Sequence, residues 1–414
     1  MPKPILFVPG FPASELRDGS GRTVFPPSLP TLVDAAKKRA LIQRLLAIPG
    51  DLVAGPPIRD VLGIAKQAQS LYDLLGGKFG YDTSQLSEDF AAIGWDWRKS
   101  IADQRVIDSI AAAVDRLGGG IVAIIHSTGG LVFRAFLEAR PDLAEQFEQV
   151  MAFGVPWRGT LEALHAITVG ESEGFLFARI TAAEGAQILS HAQAAYDLLP
   201  PDLLADLSWT TSDSMRQLAG SAHAPFPQNF DVLPLTNVCG WGIETWTSRT
   251  WDQSKDAGDG TVPVGSSSWI RGANVRTLFL PIGAYATANI PYAHPRIWDS
   301  PPILQLFEEV LNDAPRSPFL CAAADGDDYI DYDSDVDVRL SAMSPNGGAL
   351  AGCKATVDID GLKTGVPLNA DGRGAFALKR LGIEHNVGND IYRFTVTFRW
   401  SGGSATRTVV IRSV

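Results

Sequence analysis

A serine, a carboxylate and a histidine far apart in the chain could together open an ester. Ser127 ends the apolar run Ile121–Ile125 in His126-Ser127-Thr128-Gly129-Gly130, and a helical pattern follows from Leu131 to Ala139. That is the layout of a nucleophile elbow: a sharp strand-to-helix turn strains the serine backbone, lifts its hydroxyl clear of the sheet and turns neighbouring N–H groups toward the substrate. An apolar strand feeding a helix is also how any α/β unit is built, so the partners of Ser127 have to decide. The glycine usual two residues before such a serine is replaced here by Ile125.

In hydrolases built on this elbow the partners follow in the order Ser, Asp or Glu, His, because acid and base sit on loops after later strands. Of the six histidines, His126 adjoins the serine and is expected to face away from it. His165, His191 and His223 come too early, and His385 lies in a different region. His294 is well placed, in Pro291-Tyr292-Ala293-His294-Pro295, after the apolar run Thr277–Ile282 and before a helical pattern at Ile303–Leu311. Between serine and histidine lies Gly258-Asp259-Gly260-Thr261-Val262-Pro263. Asp259 there could fix the imidazole tautomer and stabilise the imidazolium, although spacing does not separate it from Asp252 and Asp256. The first strand, Pro4–Val8, ends in Pro9-Gly10-Phe11-Pro12. The N–H groups of Phe11 and Thr128 are the expected oxyanion donors, each worth a factor of about 100 to 1000 in turnover.

The motifs succeed one another along the chain. Phe7-Val8-Pro9-Gly10-Phe11, Val24-Phe25-Pro26, Gly94-Trp95-Asp96-Trp97-Arg98, His126-Ser127-Thr128-Gly129-Gly130, Val155-Pro156-Trp157-Arg158-Gly159-Thr160, Ala195-Tyr196-Asp197-Leu198-Leu199-Pro200 and Gly258-Asp259-Gly260-Thr261-Val262-Pro263 form a series. It resembles the lecithin:cholesterol acyltransferase family, which includes phospholipid–sterol and phospholipid–diacylglycerol acyltransferases and a lysosomal phospholipase/transacylase. The resemblance covers roughly the first three quarters of the chain. It implies an α/β-hydrolase with Ser127, Asp259 and His294 as the triad and Phe11 at the oxyanion hole. The chain departs from the family at Ile125 and in the Trp95-Asp96-Trp97-Arg98 element, which lacks the usual proline-tyrosine start. It has no cysteine between Met1 and Val238, so the lid disulfide of eukaryotic members cannot form.

Composition fits a folded enzyme of more than one module. The 414 residues are 45% hydrophobic and 20% charged, enough for a large core and two or three domains. A net charge of −11 argues against nucleic-acid partners and gives no bulk attraction to anionic membranes. The sequence as written shows neither a signal peptide nor a membrane-spanning run and reads as cytoplasmic; a trimmed secreted form would read the same. Cys239, Cys321 and Cys353 have no metal-ligand spacing, and the last two could pair in an oxidising compartment.

Strand-like runs at Pro4–Val8, Ile121–Ile125, Val150–Val155, Leu235–Cys239 and Thr277–Ile282 alternate with helical patterns such as Ile101–Leu117, which implies a mainly parallel sheet covered on both faces. The expected hydrolase core is 1–158 with 232–314. Two largely helical, alanine- and leucine-rich pieces interrupt it: a lid-like insertion at 19–89 and a cap at 159–231. In a lipid hydrolase such pieces enclose an apolar acyl pocket, to which Trp97 and Trp157 are candidate contributors. A helix at Leu32–Ile48 has Leu41, Leu45 and Ile48 on one face. Either it packs on the core or it meets a lipid interface transiently. After the linker Asn312–Pro318, alternating runs at Val336–Leu340, Ala355–Ile359, Tyr392–Trp400 and Thr406–Ile411 suggest a β-sandwich over 315–414. The acidic run Asp325–Asp337 lacks the glycine and final carboxylate of an EF-hand loop.

These readings converge on a serine esterase, lipase or phospholipase that forms an acyl-enzyme on Ser127 from a lipid or other ester, with neither metal nor cofactor. Three alternatives stand beside it: an acyltransferase passing the acyl group to a lipid or sterol hydroxyl, an inactive hydrolase-fold binding protein whose elbow Ile125 distorts, and a surface-interaction protein working through its C-terminal module.

Overall fold

The apolar runs expected as core strands lie side by side in one sheet. The computed structural model describes residues 2–61, 65, 66, 68–84, 86–170, 180–247, 253–282, 294–324, 336–359, 361–378 and 391–412. Strands β1 (Ile5–Val8), β2 (Phe90–Ala92), β3 (Ile121–His126), β4 (Phe147–Phe153), β5 (Leu235–Trp241) and β6 (Val275–Pro281) form a parallel sheet in the order β6-β5-β4-β3-β1-β2. Every residue of β1, β3 and β5 is buried; β1 and Ile121–Ile125 of β3 read as unbroken apolar runs and not as alternations, whereas β5 carries the buried polar pair Thr236 and Asn237. Strand β2 has too few residues to show a period, and the sequence pattern does not signal it. Val8 pairs with Ile125 and Ile125 with Ala152. The segments that leave the carboxyl ends of β1, β3 and β4 therefore emerge along one rim, where sites in such sheets collect.

The described helices include α1 (Ala35–Leu46), α2 (Gln69–Phe79), α3 (Gln104–Leu117), α4 (Gly129–Ala139), α5 (Leu161–Thr168), α6 (Ala182–Leu189), α7 (Gln193–Asp197) and α8 (Pro301–Leu311), beside Asp213–Gly220 and several shorter ones. Helix α3 starts three residues later than its apolar pattern because the Asp103 side chain accepts the Arg105 N–H and caps it. The expected helix Leu32–Ile48 is broken for the same reason: Asp34 is extended and its carboxylate accepts the N–H groups of Ala36 and Lys37. A short helix, Leu29–Val33, precedes that break. Helix α1 buries Leu41, Ile42 and Leu45, which packs this face on the core. No helix among the described residues is long and apolar enough to cross a membrane.

The first insertion is less helical than its composition suggests. Ser14–Arg17, Thr23–Phe25 and Val53–Pro57 form a small antiparallel sheet there, from strands too short to leave a period. Buried polar side chains bind both insertions to the core. Arg98 makes a two-pronged contact with Asp96, at 2.8 Å through both Nε and Nη2, and also donates to the carbonyls of Arg44, Ala47 and Leu52. Asp197 of α7 accepts from Ser100 Oγ, Ile101 N and His223 N. Lys38 of α1 meets Glu184 of α6 at 3.0 Å, joining insertion to cap.

The C-terminal part is antiparallel. Strands β7 (Phe319–Ala324), β8 (Val336–Met343), β9 (Lys354–Ile359), β10 (Leu362–Val366), β11 (Arg373–Leu378), β12 (Ile391–Trp400) and β13 (Gly403–Arg412) make two sheets, β7-β8-β11 and β10-β9-β12-β13. Their shared core includes Leu340, Val357, Val396 and Phe398. This β module meets the hydrolase part directly: Trp241 Nε1 donates to Ser341 Oγ at 3.2 Å, and the Arg373 guanidinium lies 4.7 Å from the Phe279 ring centroid. Residues 325–335 of the acidic run lie outside the described residues. The cysteines Cys239, Cys321 and Cys353 are free thiols, so the pairing considered for the last two does not form.

Arg98 is almost wholly buried; its loss would leave Asp96 with Lys99 as its cation, 3.8 Å away, and would take the donor from the carbonyls of Arg44, Ala47 and Leu52. Arg98→Met is expected to cost about 3 kcal/mol, read from urea unfolding. A loss below about 1 kcal/mol would show that this clamp does not hold the insertion.

Candidate active site

Ser127 has φ of 52°, a left-handed conformation that among the described non-glycine residues only Asp313 shares. Such a backbone costs of order 1–3 kcal/mol and persists only where its surroundings impose it. Here the Ser127 N–H donates to the Phe153 carbonyl at 2.9 Å, continuing the β3–β4 ladder one residue into the turn. The two glycines that follow allow α4 to start against the sheet. A Cβ on Gly129 would lie 2.3 Å from the Val8 carbonyl oxygen, and one on Gly130 would lie 2.5 Å from the Val155 side chain. Ile125 is fully buried and pairs normally with both neighbouring strands, so the elbow forms despite it. Gly10 is equally constrained, since a Cβ there would come 2.7 Å from Ser127 Cβ.

Asp259 follows a hairpin made by Ile243–Trp246 and Gln253–Gly258. Its Oδ1 accepts the N–H groups of Val262 at 2.7 Å and Thr261 at 3.1 Å, which pins the carboxylate. Its Oδ2 accepts from His294 Nδ1 at 2.7 Å, with both side chains buried. Gly154, at φ of 57°, leaves room for this pair; a Cβ there would lie 2.8 Å from the His294 ring. Of the rival acids, Asp252 lies outside the described residues, as do Pro291, Tyr292 and Ala293 before the histidine. His294 Nε2 is buried and makes no hydrogen bond among the described residues, Ser127 Oγ included. Nucleophile–base hydrogen bonds of this kind commonly tighten only when substrate binds.

Ser127, Thr128, Phe11, Asp259 and His294 all line one cavity of about 260 Å³. Among the described residues neither the Phe11 nor the Thr128 N–H has a protein acceptor, which leaves both available to an oxyanion. Its far wall is made by Ala163 and Ala166 of α5, Leu189 of α6, Ala195 of α7, and Leu198. The sequence predicts helical insertions that enclose the pocket but does not single out these residues, although Ala163 and Ala166 stand three apart on one helix face. The structure does not bring Trp97 and Trp157 to the cavity. Trp157 is buried and donates to Asn237 Oδ1 at 3.1 Å, and Trp97 is buried against Phe11 and Phe25 at 5.6 and 5.0 Å. Their bulk supports the oxyanion loop and the rim from behind.

His126 is the clearest departure from expectation. It does not face away: it lines the cavity, its Nε2 lies 3.1 Å from the His294 carbonyl oxygen, and the two rings sit 4.8 Å apart.

Residues 65–270 match the family model for lecithin:cholesterol acyltransferase. Over that segment the chain is similar to the lecithin:cholesterol acyltransferase family, and its fold, a parallel sheet covered by helices, is of the α/β-hydrolase class. The matched segment contains Ser127 and Asp259 and ends before His294. No curated protein matches the chain in sequence. Similar solved structures include phospholipase PlaB from Legionella pneumophila, 13% identical over 99% of this chain and 94% of that chain, with a TM-score of 0.37. Bacillus licheniformis lipase BlEst2 in its propeptide form is 12% identical over 99% and 93%, with a TM-score of 0.32. A chain of the Tle4–Tli4 complex is 16% identical with a TM-score of 0.34; the match spans 61% of this chain and 60% of that one, less than two thirds of its length.

Burial, and then the neighbouring His294, push the His126 imidazole down to about 3, against about 6.5 in an unfolded chain. Between those values the unfolded chain binds a proton that the folded chain refuses. Stability is therefore complete above about pH 6.5 and falls as the pH drops toward 3, by up to about 1.4 kcal/mol per pH unit from this residue. Urea unfolding from pH 7 to 4 is expected to show a shallower decline for His126→Gln than for wild type; equal slopes would contradict it.

Proposed function

We propose that this chain is a serine esterase or lipase that hydrolyses carboxylic esters, of lipids by that family similarity, through an acyl-enzyme on Ser127. The observation that carries the reading is the buried His294–Asp259 pair, whose free Nε2 borders the same cavity as a serine held at positive φ.

Proposed catalysis runs as follows. Ester carbonyl carbon sits over Ser127 Oγ; His294 Nε2 takes the hydroxyl proton as Oγ bonds to the carbon, and the carbonyl electron pair moves to oxygen. The Phe11 and Thr128 N–H groups receive that oxyanion. Asp259 stabilises the imidazolium through Nδ1. When the oxyanion collapses, the C–O bond to the alcohol breaks and the leaving oxygen takes the proton from His294. Water then attacks the acyl-enzyme, giving its proton to His294 and, on collapse, releasing the acid and restoring Ser127. An alcohol in place of that water would make the reaction an acyl transfer, the outcome favoured by the family's description.

A panel of p-nitrophenyl esters and phospholipids tests this. Ser127→Ala is expected to remove about 10⁴-fold or more of kcat, and Asp259→Asn about 10⁴-fold, with the fold retained by circular dichroism. Product analysis with added alcohol reports the acceptor: free acid as main product supports hydrolysis, and excess transfer product replaces it with the acyltransferase. Ester cleavage undiminished in Ser127→Ala would overturn the mechanism.

A further inference from the structure

The residue just before the nucleophile is tied to the base by a contact that the mechanism above does not use. His126 and His294 are 168 positions apart, yet His126 Nε2 lies 3.1 Å from the His294 main-chain oxygen. A carbonyl oxygen can only accept, so Nε2 carries the proton and Nδ1 is left as an acceptor. The two rings lie 4.8 Å apart at 36°, and the Trp298 ring also packs against His126, at 5.3 Å. Trp298 is itself wedged against Phe153 at 4.6 Å and Phe7 at 6.2 Å, side chains of β4 and β1.

His294 needs such an anchor. It opens a short 3-10 turn, His294–Asp299, and among the described residues its side chain is hydrogen-bonded at one end alone, through Nδ1. A hydrogen bond at Nδ1 fixes the ring's distance from Asp259 but leaves it free to pivot about that contact. Fixing the His294 backbone from β3 removes that freedom. Because residues 126 and 127 are adjacent, it also refers the base to the strand end that carries the nucleophile. Burial keeps the ring neutral, so no cation stands beside the imidazolium that forms during the reaction.

We propose that His126 is a positioning residue for His294: its Nε2–H donor and its ring, clamped by Trp298, hold the base in register with Ser127. This inference rests on the triad proposed above. A displacement of about 1 Å at a reacting group can cost about 100-fold in rate, which sets the scale of the effect.

The test compares wild type, His126→Leu and His126→Gln on one p-nitrophenyl ester, with Ser127→Ala as control. Leucine fills much of the volume without a donor, whereas glutamine keeps an N–H at similar reach. His126→Leu is expected to lower kcat about 10- to 100-fold with KM changed less than threefold, and His126→Gln to recover most of that loss. The proton on His294 Nδ1, observed by NMR at low field, should persist in wild type and His126→Gln and broaden or vanish in His126→Leu. The glutamine variant guards against a folding artefact, since it also lacks the imidazole. If the leucine variant turns over like wild type, or if both variants lose kcat equally while their thermal midpoints stay within a few degrees of wild type, the positioning role is wrong. Activity that survives Ser127→Ala would instead strike at the triad itself, which keeps the two failures distinct.

Discussion

The buried hydrogen bond between His294 Nδ1 and Asp259 Oδ2 is the interaction on which the site depends. A carboxylate taken out of water is costly unless it is well hydrogen-bonded. Asp259 has the Thr261 and Val262 amides on one oxygen and the imidazole on the other. With Nδ1 committed, Nε2 is the ring nitrogen without a hydrogen-bond partner among the described residues. Glycine at 154 and 240 makes this possible, because a Cβ at either position would strike the His294 ring or Asp259 Cβ.

The sheet supplies the second constraint. Parallel pairing in register ends β1, β3 and β4 together, so the loop after Val8, the elbow after His126 and the turn at Gly154 emerge as neighbours. The strain at Ser127 is sustained by that ladder and by a helix start with no room for side chains at Gly129 and Gly130. Residues between Thr160 and Leu198 then wall the cavity. Buried polar groups fasten the inserted segments, Arg98 to the carbonyls of Arg44, Ala47 and Leu52 and Asp197 to Ser100 and Ile101, so they do not rest on apolar packing alone.

Much of this was legible in the sequence because the decisive signals are local. Unbroken apolar runs mark buried parallel strands, and His126-Ser127-Thr128-Gly129-Gly130 marks the turn. Order along the chain points to His294 and narrows the acid to Asp252, Asp256 or Asp259, among which the family resemblance favours Asp259. What escaped was set by contacts between distant segments. Composition could not tell that Trp157 would find Asn237 and leave the cavity wall, or that Asp34 would cap a new helix and split a longer one. Nor could adjacency show that the imidazole of His126 turns toward His294; that follows from the distant Trp298 and the 3-10 turn that brings both against β3.

Covalent labelling with a fluorophosphonate, followed by intact mass and peptide mapping, tests the central claim most directly. It needs no knowledge of the natural ester. Ser127 made nucleophilic by His294 and Asp259 should carry a single adduct, formed at least about 100-fold more slowly in Asp259→Asn. An unlabelled protein, or an adduct on another residue with Ser127 untouched, would contradict it.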